Sequence, residues 1–333
     1  MEKAPYEFIA IGDITTDAFI RIHEASVTCD VNREKCKLCL SFGDKVPYDS
    51  VDIIPAVGNS PNAAVSATRL GLHTALITNL GDDHNGGECL ATLKKNNVST
   101  ELVTTHKNKA TNYHYVLWYE EERTILIKHQ EYNYSLIPFA APQWLYLSSL
   151  AQNSLKYHEE IITFLKNNPE TKLAFQPGTF QMKMGLEKIG ELYKHSELFF
   201  CNVEEAKRIL GIMEDIDTSE LLEQMHKMGP KLVVITDGPK GAYAYDGTEA
   251  WFMPPYPDPK PPLERTGAGD AFASTVTSAL ALGKTLPEAL QWGPINSMSV
   301  VQQVGAQRGL LTREKLEEFL QKAPENYRPQ KFS

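Results

Sequence analysis

Short apolar segments alternate with segments of helical periodicity along most of the 333 residues of the chain. This alternation predicts an α/β fold, in which helices cover a central, mostly parallel sheet. The segments with the length and composition of strands are EFIAIGD, TALITNL, WLYLSSL, KLAFQP, LFFCN and KLVVITDG. We expect helices at 61–70, 86–96, 157–167, 204–210, 219–228, 268–282, 286–304 and 313–322. Several strands end in Gly, Asp or Asn, and ligands of such folds bind at the carboxyl ends of the strands.

Two regions, 18–54 and 98–134, interrupt this alternation. Both are rich in β-branched and aromatic residues and lack a convincing helical pattern. We interpret them as two parts of one small β appendage, which either closes over a site as a lid or forms a structural edge or dimer surface. Residues 1–17, 55–97 and 135–333 then form the main domain. Within that domain the proline-rich stretch 252–264 predicts a loop.

The loop leads into the sequence ERTGAGDAFAS, which begins at Glu264. Gly267, Ala268 and Gly269 stand at the start of a predicted helix, where unpaired N–H groups and the helix dipole bind anions such as phosphate. Asp270 would repel a phosphate at that point. One role that explains its presence is that of a general base, which takes a proton from a hydroxyl as this attacks a phosphoryl group. The alternative is that Asp270 only caps the helix.

The net charge of -9 argues against nucleic acid as the main partner, because phosphate backbones are bound through basic patches. A small-molecule ligand is the better expectation. The chain shows no long apolar segment near its beginning and none elsewhere of membrane-spanning length. We therefore expect a cytoplasmic protein without a membrane partner, whose five cysteines are reduced.

Four further segments occur in a fixed order around this glycine turn: GDITTD (12–17), VGNSPNAAVSATRLG (57–71), NVEE (202–205) and TDGPKGAYAY (236–245). Together with TGAGD they resemble the ribokinase family of sugar kinases, also called the PfkB family, over nearly the whole chain. The resemblance implies a ribokinase-like three-layer α/β fold with a small β lid. It also implies an enzyme, a carbohydrate kinase that transfers phosphate from ATP to a hydroxyl of a sugar or nucleoside.

The resemblance assigns roles to the residues of the turn and of the N-x-x-E pair. Asp270 is the catalytic base in this assignment, and the backbone N–H groups of the turn form the anion hole for the transferred phosphoryl group, namely those of Gly267, Ala268 and Gly269. Asn202 and Glu205 orient magnesium and phosphate, with Glu205 acting through water. Taken alone, N-x-x-E is more typical of a helix cap.

The remaining motifs assign nucleotide and substrate contacts. Thr236 and Gly238 lie near the phosphates in the family, and Gly241 permits a close turn, although the same residues are compatible with a plain hairpin. The segment 301–309 matches the region that flanks the adenine. Asp17, Gly58 and Asn62 match positions that contact substrate hydroxyls. Asp13 is a second acid in the same motif, but the family spacing favours Asp17.

Two departures from the family pattern limit these assignments. Val57 replaces the first glycine of a glycine pair at the substrate. Glu264 and Arg265 replace the usual Asp-Thr pair before the glycine turn, which leaves dependence on potassium open. Arg265 could instead supply a positive charge beside the phosphates.

The first part of the predicted lid contains His23, Cys29, Cys36 and Cys39 within one short span. Such donors form a candidate structural zinc site, which would stabilise a small sheet with little core. Their spacing is not that of a standard zinc finger, and unpaired reduced cysteines are the alternative that we favour. Cys89 and Cys201 fall in helix and strand patterns and are expected in the core.

Sugar and nucleoside kinases share these motifs. A nucleoside needs a flat apolar surface for its base, and aromatic residues of the predicted lid, Tyr113, Tyr115, Trp118 and Tyr119, offer one. Their alternation is equally typical of packing within a strand, and we favour a sugar. A third reading is a sugar-binding protein without catalysis, against which the retained Asp270, Asn202 and Glu205 argue. The edges of the lid make a homodimer through the lid a candidate assembly.

Overall fold

A computed structural model describes residues 6–29, 36–120, 122–214 and 216–332. Residues 1–5 of the predicted main domain and residues 30–35 of the predicted lid lie outside this description. The described residues contain sixteen strands: β1 Phe8–Ile11, β2 Thr15–Arg21, β3 Ser26–Thr28, β4 Lys37–Cys39, β5 Ser50–Val57, β6 Thr74–Gly81, β7 Val103–His106, β8 Asn112–Tyr119, β9 Glu122–Leu126, β10 Trp144–Leu147, β11 Lys172–Phe175, β12 Ser196–Asn202, β13 Leu232–Thr236, β14 Ala242–Tyr245, β15 Ala250–Met253 and β16 Gln330–Phe332. The same residues contain nine α-helices: α1 Asn59–Arg69, α2 His84–Lys95, α3 Leu155–Asn167, α4 Thr179–His195, α5 Val203–Leu210, α6 Thr218–Lys227, α7 Ala268–Ala281, α8 Leu286–Val300 and α9 Arg313–Gln321.

Ten strands form the main sheet, in the order β16-β15-β14-β13-β12-β11-β10-β1-β6-β7. Seven neighbouring strands of this sheet run parallel to one another: β13, β12, β11, β10, β1, β6 and β7. Beyond β13, the strands β14, β15 and β16 continue the sheet in antiparallel pairs. Because helices connect the parallel strands, all six predicted strand segments enter this sheet with their carboxyl ends at one edge. The expected α/β fold with a mostly parallel sheet is confirmed.

The two faces of this sheet are covered by different helices. Phe8 and Ala10 of β1 pack into a core with α1, α7 and α8, whereas the alternate residues Ile9 and Ile11 pack into a core with α3, α4 and α6. All four side chains are fully buried. Because successive side chains of a strand point to opposite faces, a strand buried on both sides reads as a continuous apolar run. The sheet and its two helical layers form the expected three-layer arrangement.

A second sheet forms the lid, in the order β5-β2-β8-β9, and β3 and β4 form a separate hairpin. The lid strands extend beyond the boundaries predicted from the sequence: β2 begins at Thr15 and β5 continues to Val57. Conversely, β7 lies within the predicted segment 98–134 but pairs with β6 of the main sheet, Val103 opposite Thr78. Strand composition alone does not distinguish these two destinations, because both sheets favour the same residue types.

Helix α4 corrects the sequence interpretation, which placed no helix between 167 and 204. Its residues include Gly185, whose φ of 72° and ψ of 172° are not helical, so that the segment is two shorter helices joined at a kink. Glycine weakens a helical pattern in the sequence because it is the least favourable residue after proline in a helix interior.

The predicted alternative of a hairpin at TDGPKGA is present, since β13 and β14 pair directly with Thr236 opposite Ala242.

The cysteines of the lid differ from the sequence expectation. The sulfur atoms of Cys29 and Cys36 form a disulfide, so these residues are neither reduced nor available as zinc ligands. His23 faces Asp49, with 2.7 Å between Nδ1 and Oδ1, and Cys39 is an exposed thiol. Within the described ranges, no group of three or more His, Cys, Asp or Glu residues is arranged to hold a metal ion. The zinc hypothesis is therefore abandoned, because a disulfide sulfur has lost the thiolate that zinc requires.

Cys89 and Cys201 are buried, as expected. No helix in the described part of the chain combines the length and the apolar character that a membrane crossing requires.

Candidate active site

Two pockets adjoin at the amino terminus of α7. The lid pocket, of about 280 Å³, lies between the lid and the carboxyl ends of the main-sheet strands, and Asp270 lines it. The hairpin pocket, of about 420 Å³, lies between the β13–β14 hairpin, the proline-rich loop and α8, and Ala268 and Gly269 line it. The turn 265–270 is therefore a wall shared by both pockets, which places Asp270 at their junction.

The predicted site residues divide between these pockets. Lining the lid pocket are Asp17, Gly58, Asn62, Glu205 and Asp270. Lining the hairpin pocket are Thr236, Gly238, Gly241, Ala268 and Gly269. Gly267 and Asn202 are absent from the described lining of both pockets, and each directly precedes a helix, α7 and α5 respectively. The fold thus brings together residues from five separate segments of the sequence.

The carboxyl group of Asp270 is held by three side-chain amides. Asn59 donates to Oδ1 over 2.7 Å, Asn62 donates to Oδ2 over 2.9 Å, and Gln176 donates to Oδ1 over 3.3 Å. Burial raises the pKa of Asp270 above its usual range, and the hydrogen bonds from the amides oppose this rise because they favour the ionised form. The carboxyl is thereby fixed in position, with a basicity above that of an ordinary aspartate.

Gly267 allows the turn before α7 to form. Its φ is 78°, a left-handed conformation that a side chain would strain. A Cβ atom there would lie 2.3 Å from Cβ of Ala306 and 2.7 Å from Cα of the same residue. Both the conformation and the space therefore require glycine. The turn brings the first N–H groups of α7 to the junction of the pockets, where they have no acceptor within the helix.

The buried side chain of Glu264 binds the backbone of the same turn. Its side chain is only 4% exposed, and it accepts hydrogen bonds from the backbone N–H groups of Thr266 and Gly305 over 2.7 and 2.8 Å. Arg123 of lid strand β9 lies 3.7 Å from it, measured from Nη1 to Oε2. This carboxylate therefore connects the lid, the glycine turn and the loop after α8.

Asn202 and Glu205 form a capping box at the start of α5. The side chain of Asn202 accepts from the N–H of Glu205 over 2.8 Å, and the side chain of Glu205 accepts from the N–H of Asn202 over 2.9 Å. The helix-cap reading of this motif is thus observed. Glu205 also lines the lid pocket, where burial raises its pKa and the charge of Asp270 adds to the rise. A carboxyl group whose pKa is raised by a neighbouring carboxylate suits a site for a divalent cation, which would favour its ionised form.

Of the predicted substrate residues, Gly58 is explained by its backbone. Its φ is 121°, and a Cβ atom there would lie 2.8 Å from the carbonyl oxygen of Asp13. Asn62 lines the lid pocket, and its side chain also makes contacts within the protein. Its amide group donates to Asp270, and its carbonyl oxygen accepts from Nε2 of Gln307 over 3.0 Å. In this arrangement Asn62 positions Asp270.

Asp17 lies deep in the lid pocket, only 8% exposed, with its Oδ1 3.4 Å from Nδ1 of His114. Asp13, which the family spacing set aside, lines the same pocket. Its Oδ1 accepts from the hydroxyl of Tyr134 over 2.7 Å, and its Oδ2 lies 3.3 Å from Nδ1 of His129. The pocket therefore contains two Asp–His pairs.

Several of these residues escaped the sequence analysis. His114 and His129 lie in the strand-rich second part of the lid and carry no motif. Asn59 and Gln176 had a positional signal, since Asn59 begins the first helix of the main domain and Gln176 directly follows β11. A polar side chain at such a strand or helix end is a candidate ligand in this type of fold.

Arg265 lines the hairpin pocket, as does Asp258 of the proline-rich loop. Burial raises the pKa of Asp258, and the positive charge of Arg265 lowers it in part. Gly241, on the opposite wall, has a φ of 111°, and a Cβ atom there would lie 2.5 Å from the carbonyl oxygen of Met253. The close turn expected at this glycine is present.

The comparisons with known proteins agree with this geometry. The pfkB family carbohydrate kinase model matches residues 54–313. Ribokinase of Bacillus subtilis (strain 168) is 27% identical over 303 residues, covering 84% of this chain and 92% of that protein. ATP-dependent 6-phosphofructokinase of Thermoanaerobacterium thermosaccharolyticum is 26% identical over 326 residues, covering 90% and 89%. Arabidopsis thaliana ribokinase, solved with ribose and ATP, superposes with a TM-score of 0.75 at 18% identity, covering 95% and 99%.

The family match extends over more than half of the chain and includes the lid strand β8, the glycine turn and α7. It confirms the resemblance that the order of the motifs indicated. The chain therefore belongs to the pfkB family of carbohydrate kinases.

Proposed function

We propose that this enzyme transfers the γ-phosphate of ATP to a hydroxyl group of a sugar, with Asp270 as the general base. The observation that carries the proposal is the position of Asp270 at the junction of two pockets, one large enough for a nucleotide and one of about 280 Å³ for the acceptor. A base must lie within hydrogen-bond reach of the proton that it removes. A carboxylate on the wall between the two pockets meets that condition for a phosphoryl transfer.

In the proposed reaction the sugar lies beneath the lid, and one hydroxyl points at Asp270. The proton of this hydroxyl moves to the carboxylate as its oxygen forms a bond to the γ-phosphorus, while the bond from phosphorus to the bridging oxygen of ADP breaks. Burial of Asp270 supports this role, because a raised pKa makes the carboxylate a better proton acceptor near neutral pH. The lid excludes water, which would otherwise compete as the acceptor.

The N–H groups of Gly267, Ala268 and Gly269 form the proposed anion hole for the transferred group. The evidence for this role is the left-handed conformation of Gly267, which directs the first turn of α7 towards the junction of the two pockets. Arg265 adds a side-chain positive charge to the same wall of the hairpin pocket. On the other wall, Thr236 and Gly238 contact the phosphates of ATP in this proposal, and Gly241 keeps the hairpin close.

Magnesium is the proposed metal cofactor, and Glu205 would hold it through water beside the phosphates of ATP. When bound, it neutralises the charge that develops during the transfer. The raised pKa of Glu205, to which the charge of Asp270 contributes, supports a cation at this place. We do not include potassium, because both oxygens of Glu264 already accept backbone hydrogen bonds, from Thr266 and Gly305, and Arg123 supplies the nearby positive charge.

The choice of a sugar over a nucleoside rests on the described lining of the lid pocket. The described lining includes none of the four lid aromatics, Tyr113, Tyr115, Trp118 and Tyr119. Trp118 is buried beneath the guanidinium of Arg21, and Tyr115 is 49% exposed on the outer face of the lid. Those aromatics therefore offer no surface to a base within the described lining of the acceptor pocket. A nucleoside kinase is the second candidate, and a sugar-binding protein without catalysis is the third.

The test is ADP release from MgATP against a panel of pentoses, ketoses, sugar phosphates and nucleosides, with Asp270→Asn and, as a matched control, Asp44→Asn on the exposed surface of the lid. We expect turnover with one class of acceptor, reduced roughly 10²-fold or more in Asp270→Asn, with ATP binding preserved. Asp44→Asn should match the wild type. Wild-type turnover in Asp270→Asn would remove Asp270 from its role, and a nucleoside as the preferred acceptor would replace the sugar.

We further propose that two lids pair in a homodimer. Supporting this is a row of apolar residues across the outer face of the lid, where Ile53, Tyr115 and Leu126 are aligned on three strands and are 58%, 49% and 51% exposed. Val51 extends this face and is 45% exposed. The molar mass in solution should be that of a dimer, and Ile53→Asp should give a monomer. A wild-type monomer at micromolar concentration would contradict the pairing.

A further inference from the structure

The lid pocket has an unusual set of charges. Four carboxyl groups line it, those of Asp13, Asp17, Glu205 and Asp270. Among the described residues of the lining there is no Lys or Arg, and the only basic side chains are two histidines, His114 and His129. Each histidine faces one of the aspartates, over 3.4 Å for Asp17 and 3.3 Å for Asp13. A pocket of this composition repels an anion and attracts a neutral or cationic group.

Four atoms of these two Asp–His pairs are buried and make no hydrogen bond within the described protein: Oδ2 of Asp13, Oδ1 of Asp17, Nε2 of His114 and Nδ1 of His129. The aspartate oxygens face histidine Nδ1 atoms over 3.3 and 3.4 Å, but these ion-pair contacts lack the geometry of a hydrogen bond. Asp13 and Asp17 are only 6% and 8% exposed. Unpartnered polar atoms at this depth are costly, so their presence around one pocket indicates a ligand that completes them. The ligand must offer hydrogen-bond donors to the carboxylate oxygens.

Hydroxyl groups meet this requirement, since each both donates and accepts. A phosphate or carboxylate group does not, because its oxygens are acceptors when ionised and would face other acceptors. We infer that the acceptor subsite formed by Asp13–His129 and Asp17–His114 selects a hydroxylated compound that carries no phosphate or carboxylate group. This inference rests on the proposed function, and it names the class of sugar that the same site accepts.

Contacts with neighbouring side chains position Asp13 and the rings of both histidines before the substrate binds. The hydroxyl of Tyr134 donates to Asp13, and the ring of Tyr134 packs against that of Tyr157 with 5.5 Å between centroids. The rings of His114 and His129 lie 5.4 Å apart, and His129 meets the edge of Phe180. The carboxylate of Asp13, fixed in this way, does not turn aside to admit an anionic group.

The pairs also join the lid to the main domain. Asp17 and His114 lie on lid strands β2 and β8, opposite each other in register, whereas Asp13 follows main-sheet strand β1. A compound with several hydroxyls can therefore bind both pairs at once and hold the lid closed. This dual contact makes Asp13 and His129, beyond the expected Asp17, specificity-determining residues.

The test compares matched acceptors on the full-length chain: ribose with ribose 5-phosphate, and fructose with fructose 6-phosphate, within a panel of unphosphorylated pentoses, hexoses, ketoses and polyols. Binding is measured by calorimetry without nucleotide, and ADP release is measured with MgATP. We expect at least one unphosphorylated compound to bind about 100-fold or more tightly than its phosphorylated partner, the scale of a like-charge penalty. Equal or tighter binding of a phosphorylated partner overturns the inference, and so does the failure of every unphosphorylated compound to bind.

The two readouts separate this inference from the proposed function. An unphosphorylated sugar that binds selectively without ADP release supports the subsite and contradicts the kinase reaction. Turnover with fructose 6-phosphate in preference to fructose supports the kinase reaction and contradicts the subsite.

Variants test whether the pairs cause the selectivity. Asp13→Asn and Asp17→Asn keep the shape of the side chain but remove its charge and replace one acceptor with a donor. We expect each to lower the preference for the unphosphorylated partner at least about 10-fold, the scale of one hydrogen bond to a charged group. Asp44→Asn, on an exposed lid loop, should leave the preference unchanged. Circular dichroism checks that both pocket variants are folded. If folded variants keep the wild-type preference, other residues cause the selectivity and the role of the pairs is refuted.

Discussion

The contact between Asn59 and Asp270 offers a quantitative test of the proposed base. Asn59 is the first residue of α1, and its amide donates the shortest of the three side-chain hydrogen bonds to the carboxyl, 2.7 Å to Oδ1. The substitution Asn59→Ala removes this donor and leaves Asn62 on Oδ2 and Gln176 on Oδ1. Alanine is a strong helix former, so α1 itself should persist.

The size of the effect follows from the chemistry of this contact. A hydrogen bond to a charged group contributes about 1.5–3 kcal/mol. Since about 1.36 kcal/mol corresponds to one pKa unit, the loss of the bond should raise the pKa of Asp270 by about 1–2 units. Water can replace the lost donor in part because the contact is only partly buried, so we expect a rise of about 1 unit. This rise in the pKa of Asp270 has the same direction as the rise that burial already causes.

The assay is the pH dependence of kcat/KM, which reports the pKa of the base in the free enzyme. Asp270 must be ionised to act, so activity rises with pH through its pKa, and the acid limb of the Asn59→Ala profile should move to higher pH by about 1 unit. At alkaline pH the variant should approach wild-type activity. Gln176→Ala should shift the limb less because its bond is longer, 3.3 Å, and Asn167→Ala, on an exposed helix end, should not shift it. A limb at the wild-type pH, or an equal loss at every pH, refutes the reasoning.

Three further outcomes are expected. Gly267→Ala should reduce turnover at least about 100-fold, because the new Cβ atom meets Ala306 and distorts the preorganised N–H donors of the anion hole. The control Gly283→Ala changes a second left-handed glycine, whose Cβ would have no atom within 4 Å, so it should cost about 1–2 kcal/mol of stability and leave turnover unchanged. Equal turnover in the two variants would contradict the anion hole. Arg265→Ala should raise KM for ATP with the acceptor KM unchanged, and steady-state kinetics showing neither change would remove Arg265 from the nucleotide site. Cys29→Ser, at the exposed end of the β3–β4 hairpin, should retain wild-type kcat with or without a reductant, and a loss of activity would assign the disulfide a role in the site.

The sequence predicted the fold well where the pattern is local. The strands buried on both faces read as continuous apolar runs, and the predicted helix at 268–282 is α7, Ala268–Ala281. Prediction failed where local composition is ambiguous. Helix α4 was missed because a glycine kink interrupts its pattern, and β7 was placed in the lid because its composition suits either sheet.

The site was predicted to the extent that motifs carry it. Asp270 and the glycines of its turn were found because they are contiguous in the sequence and stand in order with four other motifs. The partners of Asp270 do not stand out in this way, since Asn59 and Gln176 are 211 and 94 residues distant along the chain. The same holds for the Asp13–His129 pair, whose members occur in segments with no mutual signal.

The sequence by itself determined the alternation of strands and helices, the glycine turn before α7 and the family of the chain, because each of these depends on short local segments or on their order along the chain. Only the tertiary structure decided that three amides hold Asp270, that Glu264 links the lid to the glycine turn, and that two Asp–His pairs face one pocket. The physical reason is that periodicity and turn chemistry act over a few residues, whereas the environment of a side chain is set by packing between distant segments.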